Sequence, residues 1–210
     1  MSDRTPAQAW HEMQRGNDRF VAGEPLHPRQ DVERRTELAF QQSPDAALFG
    51  CSDSRLAAEI IFDKGIGDLF VVRNAGQVIS DSVVGSLEYA VGVLGVPLIV
   101  VLGHDSCGAV LAAIDSQGPN AAPLPPHITN LISKIVPAVH RVGNTDGELD
   151  PATIDSSEVG REHLRDTIAE LLESSELISD AVAAGTLAVV GANYRLLEGR
   201  AVPDVILGSV

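Results

Sequence analysis

Four short apolar runs set the strongest limit on how this chain can fold. They are rich in β-branched residues and read AALFG (46–50), LFVVR (69–73), PLIVVLG (97–103) and LAVVGA (187–192). Runs of this kind are typical of strands that are buried on both faces of a parallel sheet. Helical patterns separate them, and alternation of strands with helices favours an α/β fold.

Helical periodicity outside the apolar runs predicts the layers that flank the sheet. The predicted helices cover residues 5–22, about 29–41, 56–63, 81–95, 108–116 and 158–184. The last of these has the clearest apolar stripe, and Gly185 stands where a helix commonly stops.

The tail of the sequence predicts a hairpin around Glu198 and Gly199. Two turn-rich stretches, 117–127 and 143–151, indicate loops inserted within one domain rather than a domain boundary. We therefore expect a single domain over residues 1–210, with an N-terminal helical arm at about 5–40. Its sheet should be mostly parallel, with four strands plus a C-terminal edge strand, flanked by helices.

Charge and composition exclude several classes of partner. The net charge of −14 argues against nucleic acid and against anionic membrane surfaces, which both need clustered Lys and Arg. No apolar stretch reaches the length of a membrane helix, and MSDRTPAQAW at the start has no apolar signal core. Two cysteines are too few for a disulfide framework, so we expect a cytoplasmic protein.

Polar and reactive side chains follow two of the predicted strands. GCSDSR (50–55) follows the first apolar run, and GHDSCGAV (103–110) follows the third. Ligands of α/β sheets bind at the carboxyl ends of the strands. The two segments are therefore expected to share one site.

Cys51, His104 and Cys107 form the donor set of a metal site at this edge. Two thiolates and one imidazole suit zinc in tetrahedral geometry, and three protein ligands leave the fourth position open. The alternative is that both cysteines are ordinary buried thiols. The polar neighbours Asp53 and Arg55 favour the metal site, because cores do not usually surround a thiol with such residues.

Asp53 and Arg55 lie two residues apart, so their side chains share a side of an extended segment and can form an ion pair. Arginine would keep the aspartate ionised. The carboxylate could fill the fourth zinc position, or turn away and accept a hydrogen bond from a zinc-bound hydroxide. The alternative is a solvated surface pair.

These motifs together resemble those of the β-class carbonic anhydrases of bacterial type. The sequence CSDSR is followed about fifty residues later by GHxxCG, with FVVRNAG (70–76) and SLEYAV (86–91) between them. The resemblance implies zinc-dependent reversible hydration of carbon dioxide to bicarbonate and a proton. It also implies one Zn²⁺ per chain and a homodimer or homotetramer.

The resemblance assigns roles residue by residue. Cys51, His104 and Cys107 would hold zinc, and Asp53 with Arg55 would form the catalytic pair beside it. The expected substrate contacts are Gln42, reaching in from a neighbouring subunit, the pocket aromatics Phe70 and Tyr89, and the backbone of Gly108.

One position departs from the bacterial members that bicarbonate regulates. They carry tryptophan three residues before the first zinc cysteine, where this chain has Leu48, which argues against that regulatory site. The remaining histidines are interpreted as surface or satisfied residues: His11, His27, His127, His140 and His163.

Three other functions stay open at this point. A carbon disulfide or carbonyl sulfide hydrolase on the same fold would have the same metal site. A non-catalytic module could use zinc for stability. A Cys51 nucleophile would need a free thiolate with a paired base.

Overall fold

The computed structural model describes residues 4–143 and 149–210. Its strands are β1 (Ala46–Cys51), β2 (Leu69–Asn74), β3 (Leu98–His104), β4 (Ala188–Arg195) and β5 (Arg200–Leu207). They form a five-stranded sheet in the order β2-β1-β3-β4-β5. The first four strands pair in parallel, and β5 pairs antiparallel with β4. The expected four parallel strands with a C-terminal edge strand are confirmed.

Helices cover both faces of this sheet. They are α1 (Pro6–Ala22), α2 (Val32–Glu37), α3 (Ala58–Ile61), α4 (Asp81–Glu88), α5 (Gly108–Asp115), α6 (Pro126–Ile132), α7 (Val136–Gly143), α8 (Ser156–Ser174) and α9 (Glu176–Ala183). A π-helical turn, Tyr89–Val93, extends α4, and a 3-10 turn, Pro151–Thr153, precedes α8. In the described part of the chain, no helix combines the length and apolar character that crossing a bilayer requires.

The helices differ from the predictions in four places. The charged helix expected at about 29–41 is only Val32–Glu37, and the one expected at 56–63 is only Ala58–Ile61. The pattern at 158–184 is two helices, because Ser175 is extended and its side chain caps α9 by accepting the Ile178 N–H. Helices α6 and α7 were not predicted. The expected loop at 143–151 lies largely outside the described residues.

Alternation along the buried strands supplies two apolar clusters, one on each face of the sheet. Leu48 and Val100 pack in the cluster with α1, α5, α6 and α7. Phe49 and Val101 face the other way, into the cluster with α4, α8 and α9. The period of two in a strand makes this division unavoidable, so the central strands are buried on both faces, as the apolar runs predict.

Helix α1 packs against its own chain. It begins at a capping box between Thr5 and Gln8, and it ends at Gly23 in the left-handed conformation. Trp10 is buried in the core cluster, and a Cβ on Gly16 would lie 1.9 Å from the carbonyl oxygen of Phe62. The helix therefore needs glycine at position 16, since only a bare Cα fits against that backbone.

Asn17 links α1 by hydrogen bonds to two segments that are distant in the sequence. Its side-chain amide donates to the carbonyl oxygens of Ile61, at 3.1 Å, and Gly199, at 2.8 Å. Its Oδ1 accepts the backbone N–H of Ala201 at 2.9 Å. Removing this buried side chain would leave the three backbone groups without their hydrogen-bond partner.

We expect Asn17→Ala to lower the free energy of unfolding by about 2–4 kcal/mol, since it leaves buried backbone groups unpaired. Asp18→Ala is the matched control: its exposed ion pair with Arg200 should contribute less than about 1 kcal/mol. Urea unfolding followed by circular dichroism measures both. Equal losses in the two variants would contradict the role assigned to Asn17.

Candidate metal centre

Adjacent parallel strands bring the three predicted ligands together. Cys51 is the last residue of β1 and His104 the last of β3, and these strands pair in register. Cys107 follows after a short turn and precedes α5. The ligand atoms of the three residues all lie within 4.8 Å of one another, and the two Sγ atoms are 4.0 Å apart. The structure thus brings together the three residues that the sequence grouped as ligands.

The protonation of His104 fits a metal ligand. Its Nδ1 lies 2.8 Å from the carbonyl oxygen of Asp105, and because a carbonyl only accepts, Nδ1 carries the hydrogen. Nε2 is then a bare lone pair, buried and without a hydrogen-bond partner among the described residues. A nitrogen lone pair beside two sulfurs is the donor set that zinc prefers. The residues present therefore fit zinc.

The two thiols differ in how readily they ionise. The Cys107 thiol lowers the pKa of Cys51, burial acts against this, and the N–H of Gly76 lowers it further. The pKa of Cys107 is raised, because the Cys51 sulfur and burial both oppose a second negative charge, although the amides of Val110 and Ala109 act against this. A divalent cation removes that opposition, since a coordinating thiol is deprotonated outright.

The backbone on either side of the ligands is shaped for this site. The N–H of Gly76 donates to Cys51 Sγ at 3.3 Å. Ser106, between Asp105 and Cys107, has a φ of 50°, a conformation that residues other than glycine seldom adopt. That conformation turns the chain sharply enough to bring Cys107 back beside His104.

Asp53 and Arg55 form the predicted pair with good geometry. Arg55 donates from Nε to Oδ1 at 2.9 Å and from Nη2 to Oδ2 at 2.7 Å. This bidentate contact holds the pKa of Asp53 well below its usual range. Oδ2 of Asp53 also lies 4.0 Å from Nε2 of His104. An ionised carboxylate thus stands at the rim of the ligand cluster, already engaged by arginine.

Arg73 hydrogen-bonds to the backbone of the segment that carries the first ligand. Its Nε donates to the carbonyl oxygen of Cys51 at 2.9 Å, and its Nη2 donates to that of Asp53 at 2.6 Å. Leu48 is buried in the core beneath this segment. The guanidinium is therefore bonded to two backbone carbonyls, and the absence of a regulatory anion site stays a prediction.

Comparison with known proteins decides the family. A sequence profile described as carbonic anhydrase matches residues 46–201. The chain belongs to the carbonic anhydrase family. It is 48% identical over 210 residues to carbonic anhydrase 2 of Mycobacterium tuberculosis, covering 100% of this chain and 98% of that protein. It is 46% identical to the carbonic anhydrase of Mycolicibacterium smegmatis, with the same coverage of 100% and 98%.

Solved structures place this carbonic anhydrase family member in the β class. One neighbour is a tetrameric β-carbonic anhydrase of Sordaria macrospora, with a TM-score of 0.69, 25% identity, and coverage of 92% of this chain and 95% of that one. Another is the β-carbonic anhydrase CafA of Aspergillus fumigatus, with a TM-score of 0.65, 26% identity, and coverage of 90% and 86%.

The four expected substrate contacts lie on different elements of the chain, and Gly108 directly follows the ligand Cys107. Phe70 on β2 and Tyr89 after α4 contact each other, with ring centroids 6.2 Å apart, and Tyr89 is 46% exposed. Gln42 is exposed in the segment between α2 and β1. Gly108 begins α5, and a Cβ there would meet no atom within 4 Å, so its backbone faces open space. The roles of these four residues stay predictions.

Sequence reasoning did not foresee the contacts of Gly76 and His163. Gly76 was quoted only as part of FVVRNAG, although a glycine after a strand end is a signal for close backbone approach. His163 was interpreted as a surface or satisfied residue. It is buried, with Nε2 bonded to the backbone and Nδ1 lacking a partner among the described residues. Nothing in its local sequence indicates this.

We expect Cys107→Ser to lose zinc, because an alcohol is a poor ligand where a thiolate is needed. The wild-type chain should hold about one zinc per chain, whereas the variant should hold almost none after dialysis. Elemental analysis of purified protein measures this. Ser52→Ala, at an exposed neighbour of Cys51, is the control that should keep its zinc. Equal zinc in Cys107→Ser and wild type would contradict the ligand assignment.

Proposed function

We propose that this chain catalyses the reversible hydration of carbon dioxide to bicarbonate and a proton, with zinc held by Cys51, His104 and Cys107. The observation that supports this most is the bare, buried Nε2 of His104, which faces two thiols beside an ion-paired carboxylate. When bound, zinc supplies the Lewis acidity that makes water a nucleophile near neutral pH, for which carbonic anhydrase is itself the standard example.

Asp53 orients the nucleophile in this proposal. Since Arg55 keeps the carboxylate ionised, it can only accept a hydrogen bond, and it accepts one from the attacking water. Arg55 and Arg73 fix the side chain and the backbone of Asp53, respectively. The carboxylate therefore selects the orientation in which the water's lone pair faces the substrate carbon.

The same ion pair favours the open form of the site. In the alternative form, Asp53 would turn to the metal as a fourth ligand and block the water position. To do so it would have to give up both hydrogen bonds from Arg55, at 2.9 and 2.7 Å. We infer that Asp53 rests on Arg55 and becomes a ligand only when that pair is broken.

Carbon dioxide is small and apolar, so a tight pocket with aromatic walls suits it. We propose that Phe70 and Tyr89 line the pocket and that the backbone of Gly108 faces the bound anion. Gln42 is exposed and the Phe70–Tyr89 pair is partly exposed in one chain, and Phe70 lies on β2, an edge strand of the sheet. They are therefore available to a neighbouring subunit, which supports a homodimer or homotetramer whose sites lie at the interface.

The proposal also covers the domain organisation, the cellular compartment and the classes of partner. We propose one catalytic domain over residues 1–210 with α1 and α2 as its N-terminal arm. Both cysteines are free thiols at the candidate metal site, which is consistent with the reducing cytoplasm. The net charge of −14 gives no support to binding nucleic acid or an anionic membrane.

We expect zinc-loaded protein to hydrate carbon dioxide in stopped-flow assays from about pH 6.5 to about pH 9. Activity should rise above neutral pH, because two thiolate ligands make zinc-bound water less acidic than imidazole ligands do. Asp53→Asn should keep its zinc and lose about 100-fold or more in turnover. Asp180→Asn, exposed on α9, is the control.

Two outcomes would contradict this assignment. Full activity in Asp53→Asn would remove the role of the carboxylate. Absence of hydration in zinc-loaded wild type would overturn the function, and turnover of carbon disulfide or carbonyl sulfide would then reassign the site to a sulfur-gas hydrolase.

The contribution of a neighbouring subunit is tested by complementation. We expect Gln42→Ala and Asp53→Asn each to be weakly active alone. Co-expressed and co-purified mixed oligomers should recover about a quarter of wild-type activity. Half of the dimers then pair one chain of each variant, and one of the two sites in each such dimer is intact. Mixed oligomers no more active than the average of the two parents would place Gln42 at its own chain's site.

A further inference from the structure

Helix α8 is bonded to the turn that follows β2. His163 Nε2 lies 2.7 Å from the carbonyl oxygen of Gly76. Thr167 Oγ1 lies 3.3 Å from the carbonyl oxygen of Gln77 and 2.9 Å from that of His163, so its one hydrogen is shared between the turn and its own helix. The two side chains are four residues apart, so they share one face of the helix. His163 thus holds the first of two consecutive carbonyl groups of the turn, and Thr167 makes a weaker contact with the second.

The same turn contacts a metal ligand. The N–H of Gly76 donates to Cys51 Sγ at 3.3 Å. The N–H and the carbonyl of Gly76 lie on either side of one Cα. Fixing the direction of the carbonyl therefore restricts the direction in which the N–H points.

The backbone conformation of this turn is not one that its residues prefer on their own. Gly76 has a φ of 77° and Gln77 a φ of 42°, and the second is costly for a residue with a side chain. Asn74 closes the turn by exchanging two hydrogen bonds with Val78, at 2.7 and 2.9 Å. Such a conformation persists only where the surroundings determine it, and α8 supplies two of the contacts that do so.

Burying His163 costs free energy, because one of its ring nitrogens has no hydrogen-bond partner among the described residues. Only 2% of its surface is exposed, and Nδ1 has no partner within the described residues. Since a carbonyl only accepts, Nε2 carries the hydrogen, and burial lowers the pKa of the ring so that it stays neutral. An apolar side chain would avoid the cost of the unpaired nitrogen but could not donate to Gly76.

We propose that His163, supported by Thr167, is a positioning residue that keeps the Gly76 N–H on the Cys51 thiolate. This inference rests on the proposed zinc site. An N–H donor draws negative charge from a thiolate, and partners of this kind orient ligands and tune the metal they hold. The bond thereby offsets part of the electron donation that makes two thiolates less suited than imidazoles to activating water.

Paired variants separate the hydrogen bonds from packing. His163→Leu removes the donor and His163→Gln restores an N–H at a similar reach. Thr167→Val removes the hydroxyl at nearly constant shape and Thr167→Ser returns it. Ile168→Val, on the same helix but in the cluster on the α4 side of the sheet, destabilises the core without touching the turn.

The readouts are zinc affinity by chelator competition and the thiolate-to-metal charge-transfer absorption of Co²⁺-substituted protein. We expect His163→Leu to weaken zinc binding about 10-fold and to shift the absorption to longer wavelength, because the thiolate becomes more electron-rich. Thr167→Val should shift it in the same direction by less. His163→Gln, Thr167→Ser and Ile168→Val should resemble wild type.

The outcomes distinguish this inference from the proposed function. If the charge-transfer band keeps its wild-type position in both His163→Leu and Thr167→Val, the positioning role is overturned and the zinc site is unaffected. Equal loss of zinc affinity in His163→Leu and Ile168→Val also overturns it, since both would then act through stability. A wild type without any thiolate charge transfer overturns the zinc site and this inference with it. If His163→Leu fails to fold, the Thr167→Val and Thr167→Ser pair decides.

Discussion

The parallel pairing of β1 with β3 is the constraint on which the site depends. Gly50 lies opposite Leu102 in that register, so the strands deliver Cys51 and His104 to the same edge of the sheet. A slip of one residue would turn every buried side chain to the other face, including those of Leu48 and Phe49. The apolar clusters on the two faces therefore protect the position of the ligands, although they lie away from the chemistry.

Around that pairing, the site is built largely from backbone groups held by side chains. Arg73 holds two carbonyl groups of the Cys51–Asp53 segment, and Arg55 holds the Asp53 carboxylate. Gly76 supplies an N–H to a sulfur. Local positive charge thus surrounds an anionic cluster in a chain whose net charge is −14. That contrast favours the ionised Asp53 carboxylate beside the two cysteines.

The sequence predicts the parts of this structure that depend on neighbours along the chain. The four apolar runs become the parallel strands, and the Cys51, His104, Cys107 and Asp53–Arg55 groups follow because strand ends meet at one edge. The parts it misses depend on distant contacts. His163 bonds to Gly76 across 87 positions, and local periodicity carries no trace of such a bond. The break at Ser175 was missed because capping by a serine looks like continued helix in a hydropathy pattern.

Asn17 gives the chain an order of assembly. Its partners Gly199 and Ala201 lie 182 and 184 positions away, across nearly the whole chain. During synthesis, helix α1 emerges before the β4–β5 hairpin that supplies these partners. Contacts of such separation form slowly, and domains generally complete their packing only when the chain is available. Helix α1 therefore reaches its final place only once the β4–β5 hairpin is available, and until then part of its apolar face needs some other cover.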